Sequence, residues 1–261
     1  MKEAMAELSA EKAPVVQLLL TASFSPSLDF LSIIDLADLY ALFREDYPVF
    51  RQISRAAPMT ADPFQVRVES IQVGALPRLS FTAADPSRHM MFQSDRFSFG
   101  WARVSDLSEP SDYPGFDALY ALFREYLERV QGWVLARGIE ISPQVGEIVY
   151  TDAFMVGENG IVAGAPAADI FTIINPEIRF PVTSIDCTWV EPLTGGIGGF
   201  VRSTASGPAL SPSGSHMMTL ETTANFDLSG GWAVVDQGFD VAHRAGLEIF
   251  KRVVNPLALA K

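Results

Sequence analysis

The stretch FQSDRFSFGW, residues 92–101, carries the most suggestive chemistry in the sequence. A guanidinium beside aromatic rings and a carboxamide can hold an anion or a partner's carboxylate, and Arg96, Trp101 and Gln93 supply those groups. Plain strand alternation puts Gln93 and Arg96 on opposite faces unless Ser94 and Asp95 make a turn, which we expect. The competing reading is a structural ion pair between Arg96 and one of the many acids.

Other chemistries find less support. Metal sites need several His, Cys or carboxylate groups at short spacings such as HExxH or CxxC. Only His89, His216 and His243 are present, none with a second His or Cys nearby. His89 and His216 read as sheet-edge histidines, and His243 as a buried, hydrogen-bonded structural one. No G-x-S-x-G elbow occurs, and Cys187 shares a strand face with Ile185 and Trp189, so it reads as a packed core thiol. TGGIGG at 194–199 lacks a following Lys-Ser/Thr and precedes FVRST, which makes it a hairpin rather than a phosphate loop. Among the acids, Asp186 stands out because it interrupts an apolar strand, though alternation puts it toward solvent.

Composition limits the partners. The chain has 261 residues, enough for a substantial core, and 48% of them are hydrophobic, which excludes a disordered class. Its 19 Lys and Arg face 31 Asp and Glu, so the net charge is −12. That balance opposes nucleic acid, whose binding needs a basic face to displace counterions. MKEAMAELSAEKAP has no apolar core of a signal peptide, and no apolar run reaches the roughly 20 residues of a membrane helix. A single cysteine permits no internal disulfide. A cytoplasmic protein with no membrane contact is the expectation.

These residues must be positioned by regular elements. VVQLLLTASF (15–24) reads as a buried strand, and 27–45 as a helix with Ser27 at its N-cap. RAAPMTADP then leads to four strands of an antiparallel meander: QVRVES, LSFTA, HMMFQ and RFSFGWARV. A long helix follows SDLSEPSDYPG, with Phe116, Leu119, Tyr120, Phe123, Leu127, Val130 and Val134 as its apolar stripe. Further on, HMMTLETTANFDL alternates, with Met218, Leu220, Thr222, Ala224 and Phe226 inward. ASGPALSPSG reads as a long loop tip, and a last strand after Ser229–Gly231 precedes a helix over 237–254.

LYALFRE occurs at 39–45 and 119–125, but the landmark order suggests a longer period. QLLLTASF aligns with EIVYTDAF at an offset of 130, ADLYALFR with ADIFTIIN at 131, HMM with HMM at 127, and FDALYALF with FDVAHRAGLEIF at 123. We therefore expect an α+β fold of two pseudo-repeated β-α-β(4)-α halves, 14–140 and 141–261, behind an N-terminal tail of residues 1–13. Curved antiparallel sheets packed by long helices would resemble the TATA-binding-protein-like and helix-grip architectures, an analogy of fold alone.

Several motifs together, SFSPSLD, PRLSF at 77–81, FQSDRFSFGW, YPGF at 113–116 and FDVAHRAGLEIF, resemble a sporadically distributed bacterial family of conserved hypothetical proteins. The resemblance spans the whole chain. It implies a bacterial source and, from the family's patchy distribution, an accessory role in a mobile or defence-related gene module. It also implies a polar residue near the end of the central strand, an Asn in the family's pattern, where this chain has Asp152 after Tyr150.

The expected function is a non-enzymatic module that binds an unknown protein or small-molecule ligand between sheet and helices, with neither cofactor nor metal. Gln93, Arg96, Trp101, Tyr150 and Asp152 are the candidate binding residues. The alternative is a hydrolase-like enzyme whose dispersed site uses acids, Arg96 and Tyr150. Nucleic-acid recognition by the sheet is a third reading, opposed by the acidic balance. Long exposed strands add the expectation of a homodimer.

Overall fold

The computed structural model describes residues 14–63, 77–107, 109, 111–156, 170–173, 185–210 and 216–255. Its centre is strand β1 (Val15–Ser25), whose run LLLTASF leaves little side-chain surface to water and so needs a neighbour on each edge. Those neighbours are β5 (Arg96–Ala102) and β6 (Ser142–Val156), both antiparallel to it. On the β5 side the sheet continues through β4 (Arg88–Gln93), β3 (Arg78–Thr82) and β2 (Val49–Ile53). Beyond β6 come β9 (His216–Asp227), β8 (Gly199–Leu210) and β7 (Ile185–Pro192). Among the described residues the fold is α+β, with one continuous nine-stranded antiparallel sheet in the order β2-β3-β4-β5-β1-β6-β9-β8-β7.

The helices are α1 (Ile33–Ala41), α2 (Phe116–Leu135) and α3 (Val235–Val253) among the described residues. On α2 the stripe Leu119, Phe123, Leu127, Val130 and Val134 is buried, as the 3.6-residue period predicts. Phe123 joins the layers: its ring stacks on Phe97 of β5 at 6.0 Å and meets Phe239 of α3 at 5.0 Å. Phe226 of β9 meets Phe239 edge-on. A Cβ at Gly146 would lie 2.2 Å from the Phe226 ring, so β6 needs glycine where that ring crosses it. Arg124 of α2 pairs with Asp236 of α3 at 3.1 Å, and the Tyr120 hydroxyl donates to the same carboxylate at 2.6 Å.

Several expectations are corrected. The first helix starts at Ile33, not near Ser27, because Ser32 forms a reciprocal capping box with Asp35. The Ser27 hydroxyl instead donates to Asp29 at 2.7 Å. β2 was not foreseen, while QVRVES lies outside the described residues. No strand follows Ser229–Gly231: a 3₁₀ turn at Trp232–Val234 leads straight into α3. β8 runs through the GPAL of ASGPALSPSG to Leu210, and residues 211–215 lie outside the described set.

Cys187 is exposed rather than packed in the core. It sits on β7, an edge strand whose Ile185 and Trp189 are themselves only half-buried. The two HMM triplets do not hold matching places, since β4 lies two strands from β1 whereas β9 adjoins β6. Of the aligned segment 168–175, only residues 170–173 are described.

Candidate functional site

Strand register places Trp101, Leu18, Tyr150 and Thr222 side by side across β5, β1, β6 and β9. Alternation along β6 puts Asp152 on the same side as Tyr150. Helices α2 and α3 pack over this side but do not close it completely. A cavity of about 360 Å³ remains between the start of β1, the YPGF segment, β6 and the middle of α3. Small-molecule pockets run from roughly 300 to 1,000 Å³, so the volume is in the lower part of that range.

Four aromatic groups form one wall. The Phe116 ring stacks on the His243 imidazole with centroids 3.9 Å apart and planes 5° from parallel. The Tyr150 hydroxyl lies 2.7 Å from His243 Nδ1, and the Tyr113 hydroxyl approaches that of Tyr150. Tyr113 rests in turn on Trp101 at 5.2 Å. Burial raises both tyrosines above their ordinary range, so they are phenols at neutral pH. Burial also lowers His243, against the opposing pull of Asp117 and Asp240, and holds the ring neutral.

Asp152 is the exception to this satisfied network. It is 4% exposed, and no hydrogen bond engages its carboxyl group among the described residues. Burial pushes its pKa up to about 7. Thr222, also lining the cavity, has a buried hydroxyl with no partner. Two buried polar groups left unmet beside an open volume are unusual, since such groups are nearly always hydrogen-bonded.

Gln93 and Arg96 are elsewhere. They face each other across the tight β4–β5 turn, as expected from Ser94 and Asp95, but on the opposite side of the sheet from Trp101. Arg96 makes a two-pronged ion pair with Asp95, at 3.1 and 2.8 Å. Gln93 donates to Asp95 at 2.9 Å, accepts from the Ala56 amide at 2.8 Å and donates to the Ala56 carbonyl at 3.2 Å. The two side chains are occupied in holding the hairpin to the segment after β2. Of the five candidates, Tyr150 and Asp152 line the cavity, Trp101 backs it through Tyr113, and Gln93 and Arg96 do not reach it.

Sequence reasoning left out His243, Phe116, Tyr113, Thr222 and Gly246 as site residues. The signal lay in YPGF and FDVAHRAGLEIF, two segments of the family-like pattern that converge on this cavity. A second cavity, of about 520 Å³, lies between the β7–β8 turn and α3. Its charged side chains are paired already, Glu191 with Arg252 and Arg244 with Asp240. Asp186, the acid noted within β7, is exposed.

Among the described residues, no group of three or more His, Cys, Asp or Glu is placed to hold a metal ion. No helix among them is long and apolar enough to cross a membrane. Compared with models of protein families and with curated proteins, the chain has no match.

Proposed function

We propose that this chain is a small-ligand-binding protein whose site is the cavity between α2, α3 and β6. The observation that carries the reading is Asp152, buried and without a hydrogen bond among the described residues, at the edge of an open volume that the unpartnered Thr222 hydroxyl also lines. Burying a carboxyl group without a partner costs stability, and a ligand that bonds to it recovers that cost on binding.

Gly246 provides the test. It lines the cavity from α3, and a Cβ there would meet the Tyr150 ring only at ordinary contact distance, 3.7 Å. Gly246→Leu thus adds bulk to the cavity and removes a helix-weakening glycine. A fragment screen by ligand-observed NMR is expected to give hits on the native chain that vanish with Gly246→Leu. Hits that bind the variant equally well, or a screen with none, would overturn the proposal.

The hydrolase-like alternative draws support from Tyr150 and His243 beside an acid that titrates near neutrality. Arg96 drops out of it, being held by Asp95 on the other side of the sheet. Turnover of an ester or amide that Asp152→Asn abolishes would favour this alternative.

The finer architecture belongs to the same proposal. β1 and β6 pair antiparallel at the centre, with β5, β4, β3 and β2 outward from β1, β9, β8 and β7 outward from β6, and α2 and α3 following the two series. This order supports two duplicated halves about a pseudo-two-fold axis between β1 and β6, the TATA-binding-protein-like arrangement. We also propose a cytoplasmic location, a homodimer through the edge strands, and membership of the bacterial family whose motifs the chain resembles. An accessory role in a mobile or defence-related gene module goes with that membership.

A further inference from the structure

We propose that the cavity takes a small organic amine, whose ammonium group donates to the Asp152 carboxylate and whose apolar body lies against Phe116, Leu247 and Phe250. The inference rests on the reading that this cavity binds a small molecule and adds the ligand's charge and shape. Three observations carry it.

First, the unmet group is an acceptor when ionised, and it is nearly sealed from water. A donor placed there replaces the water that the carboxylate lost on folding, and a charged donor makes the stronger bond. Thr222, paired with Tyr150 across β6 and β9, adds a hydroxyl that can donate or accept.

Second, among the described residues the ionisable groups lining the cavity are Asp152, Asp117, Tyr113, Tyr150 and His243, with neither Lys nor Arg. Among these residues an anionic ligand would meet two acids and no fixed cation. A cation would meet the opposite balance, in a setting where charge interactions are stronger than in water.

Third, most of the wall is apolar: Val15, Pro114, Phe116, Leu247 and Phe250. Aromatic faces attract a neighbouring cation as well as an apolar body. A cavity of about 360 Å³ suits one ring and a short chain better than a peptide or a nucleotide.

Protonation follows from the geometry. The groups facing Asp152 are Tyr113 and Tyr150, whose phenols its charge pushes upward, with Asp117 from the first turn of α2 and His243 from α3 at the same cavity. Without ligand the Asp152 carboxyl group titrates at about 7. An ammonium ion bound beside it favours the ionised form, so binding expels a proton whenever the pH is below that value. Affinity for an amine must then rise with pH up to about 7 and level off above it.

The test compares three probes that share a phenethyl skeleton: phenethylamine, 2-phenylethanol and 3-phenylpropionate. Each is titrated into the full chain by calorimetry or NMR, with native protein, Asp152→Asn and Thr222→Val. Circular dichroism checks that the variants fold, and Thr222→Val, nearly isosteric, serves if Asp152→Asn does not. At pH 8 phenethylamine is expected to bind about tenfold or more tightly than the other two, as one charge-assisted contact implies. Asp152→Asn should erase that preference, Thr222→Val should weaken binding severalfold, and the native affinity should fall by about tenfold from pH 8 to pH 6, about fivefold of it between pH 7 and pH 6.

Equal or tighter binding of the alcohol or the carboxylate, with Gly246→Leu still blocking it, overturns the amine while the cavity remains a binding site. An amine preference that survives Asp152→Asn overturns the role of that residue. If none of the three probes binds and the fragment screen is also empty, both readings fall.

Discussion

The Tyr150 hydroxyl and His243 Nδ1 lie 2.7 Å apart, one on the central strand β6 and the other on the closing helix α3. The pair is the main polar tie between these elements in an otherwise aromatic contact. Burial keeps both groups neutral, and because an imidazole nitrogen is a better acceptor than a phenol oxygen we expect the Tyr150 O–H to donate a hydrogen bond to Nδ1. His243 must therefore carry its own proton on Nε2. Long-range ¹⁵N–¹H NMR of the ring is expected to show that tautomer in native protein, and a ring protonated on Nδ1 would contradict the assignment. Tyr150→Phe leaves a buried nitrogen without its donor and should cost about 1–3 kcal/mol in urea unfolding.

Asp152 makes an unusual prediction about pH. Its carboxyl group titrates near 7 when folded and near 3.8 when unfolded, so between those values the folded chain binds more protons. Stability must then fall as pH rises from about 4 to about 7, the reverse of a salt-bridged acid. By linkage the penalty above pH 7 is on the order of 4 kcal/mol. His243 acts oppositely: burial lowers its proton affinity, so its contribution is complete above the unfolded value of 6.5 and declines as pH drops below it. Comparing native protein with Asp152→Asn cancels the histidine. Urea midpoints measured from pH 5.5 to 8.5 should show the variant gaining on the native chain as pH rises. A constant difference would mean that Asp152 is ionised throughout.

The sheet was legible in the sequence where alternation is strong and both neighbours are sheet strands. In HMMTLETTANFD the period of two selects Met218, Leu220, Thr222, Ala224 and Phe226, all buried, though Asn225 on the other face is buried as well, and RFSFGWA is covered on both faces from Arg96 to Trp101. Tyr150 and Asp152 were legible as a pair on one strand, but not their meeting with His243. That contact depends on α3 crossing β6, a relation 93 residues distant in sequence. Arg96 misled for a physical reason. A guanidinium among aromatics has the composition of a binding site, yet the adjacent Asp95 satisfies it two-pronged within the same turn.

The start of α1 shows how one cap outweighs a periodic pattern. Phe30, Ile33 and Ile34 extend the helical spacing, but all three are exposed, and Leu28 and Leu31 are the buried residues of the approach. Ser32 can bond Asp35 reciprocally, whereas Ser27 is drawn to Asp29 and neighbours Ser94. Ser32→Ala is expected to lower stability by about 1 kcal/mol. Ser27→Ala should leave the helix intact, and amide exchange across residues 33–36 distinguishes the two. Equal protection losses in both variants would count against this helix start.

Cys187 gives a direct check on the β7 edge. Read from alternation alone, Ile185, Cys187 and Trp189 form one inward face, and a thiol there would react only after unfolding. The structure puts Cys187 at the surface on the last strand of the sheet, opposite Ala205 of β8. The Trp189 indole donates to Glu191 at 3.0 Å and, like Ile185, packs against the core only partly buried, and the thiol between them stays exposed. Ellman's reagent should titrate one thiol per chain in native buffer, at a rate close to that in urea. Protection by several orders of magnitude, released only by denaturant, would show that the edge is covered, as it would be in a dimer joined through β7. Dilution distinguishes the two cases: an edge buried by a second copy loses its protection as concentration falls, and one buried within the chain does not.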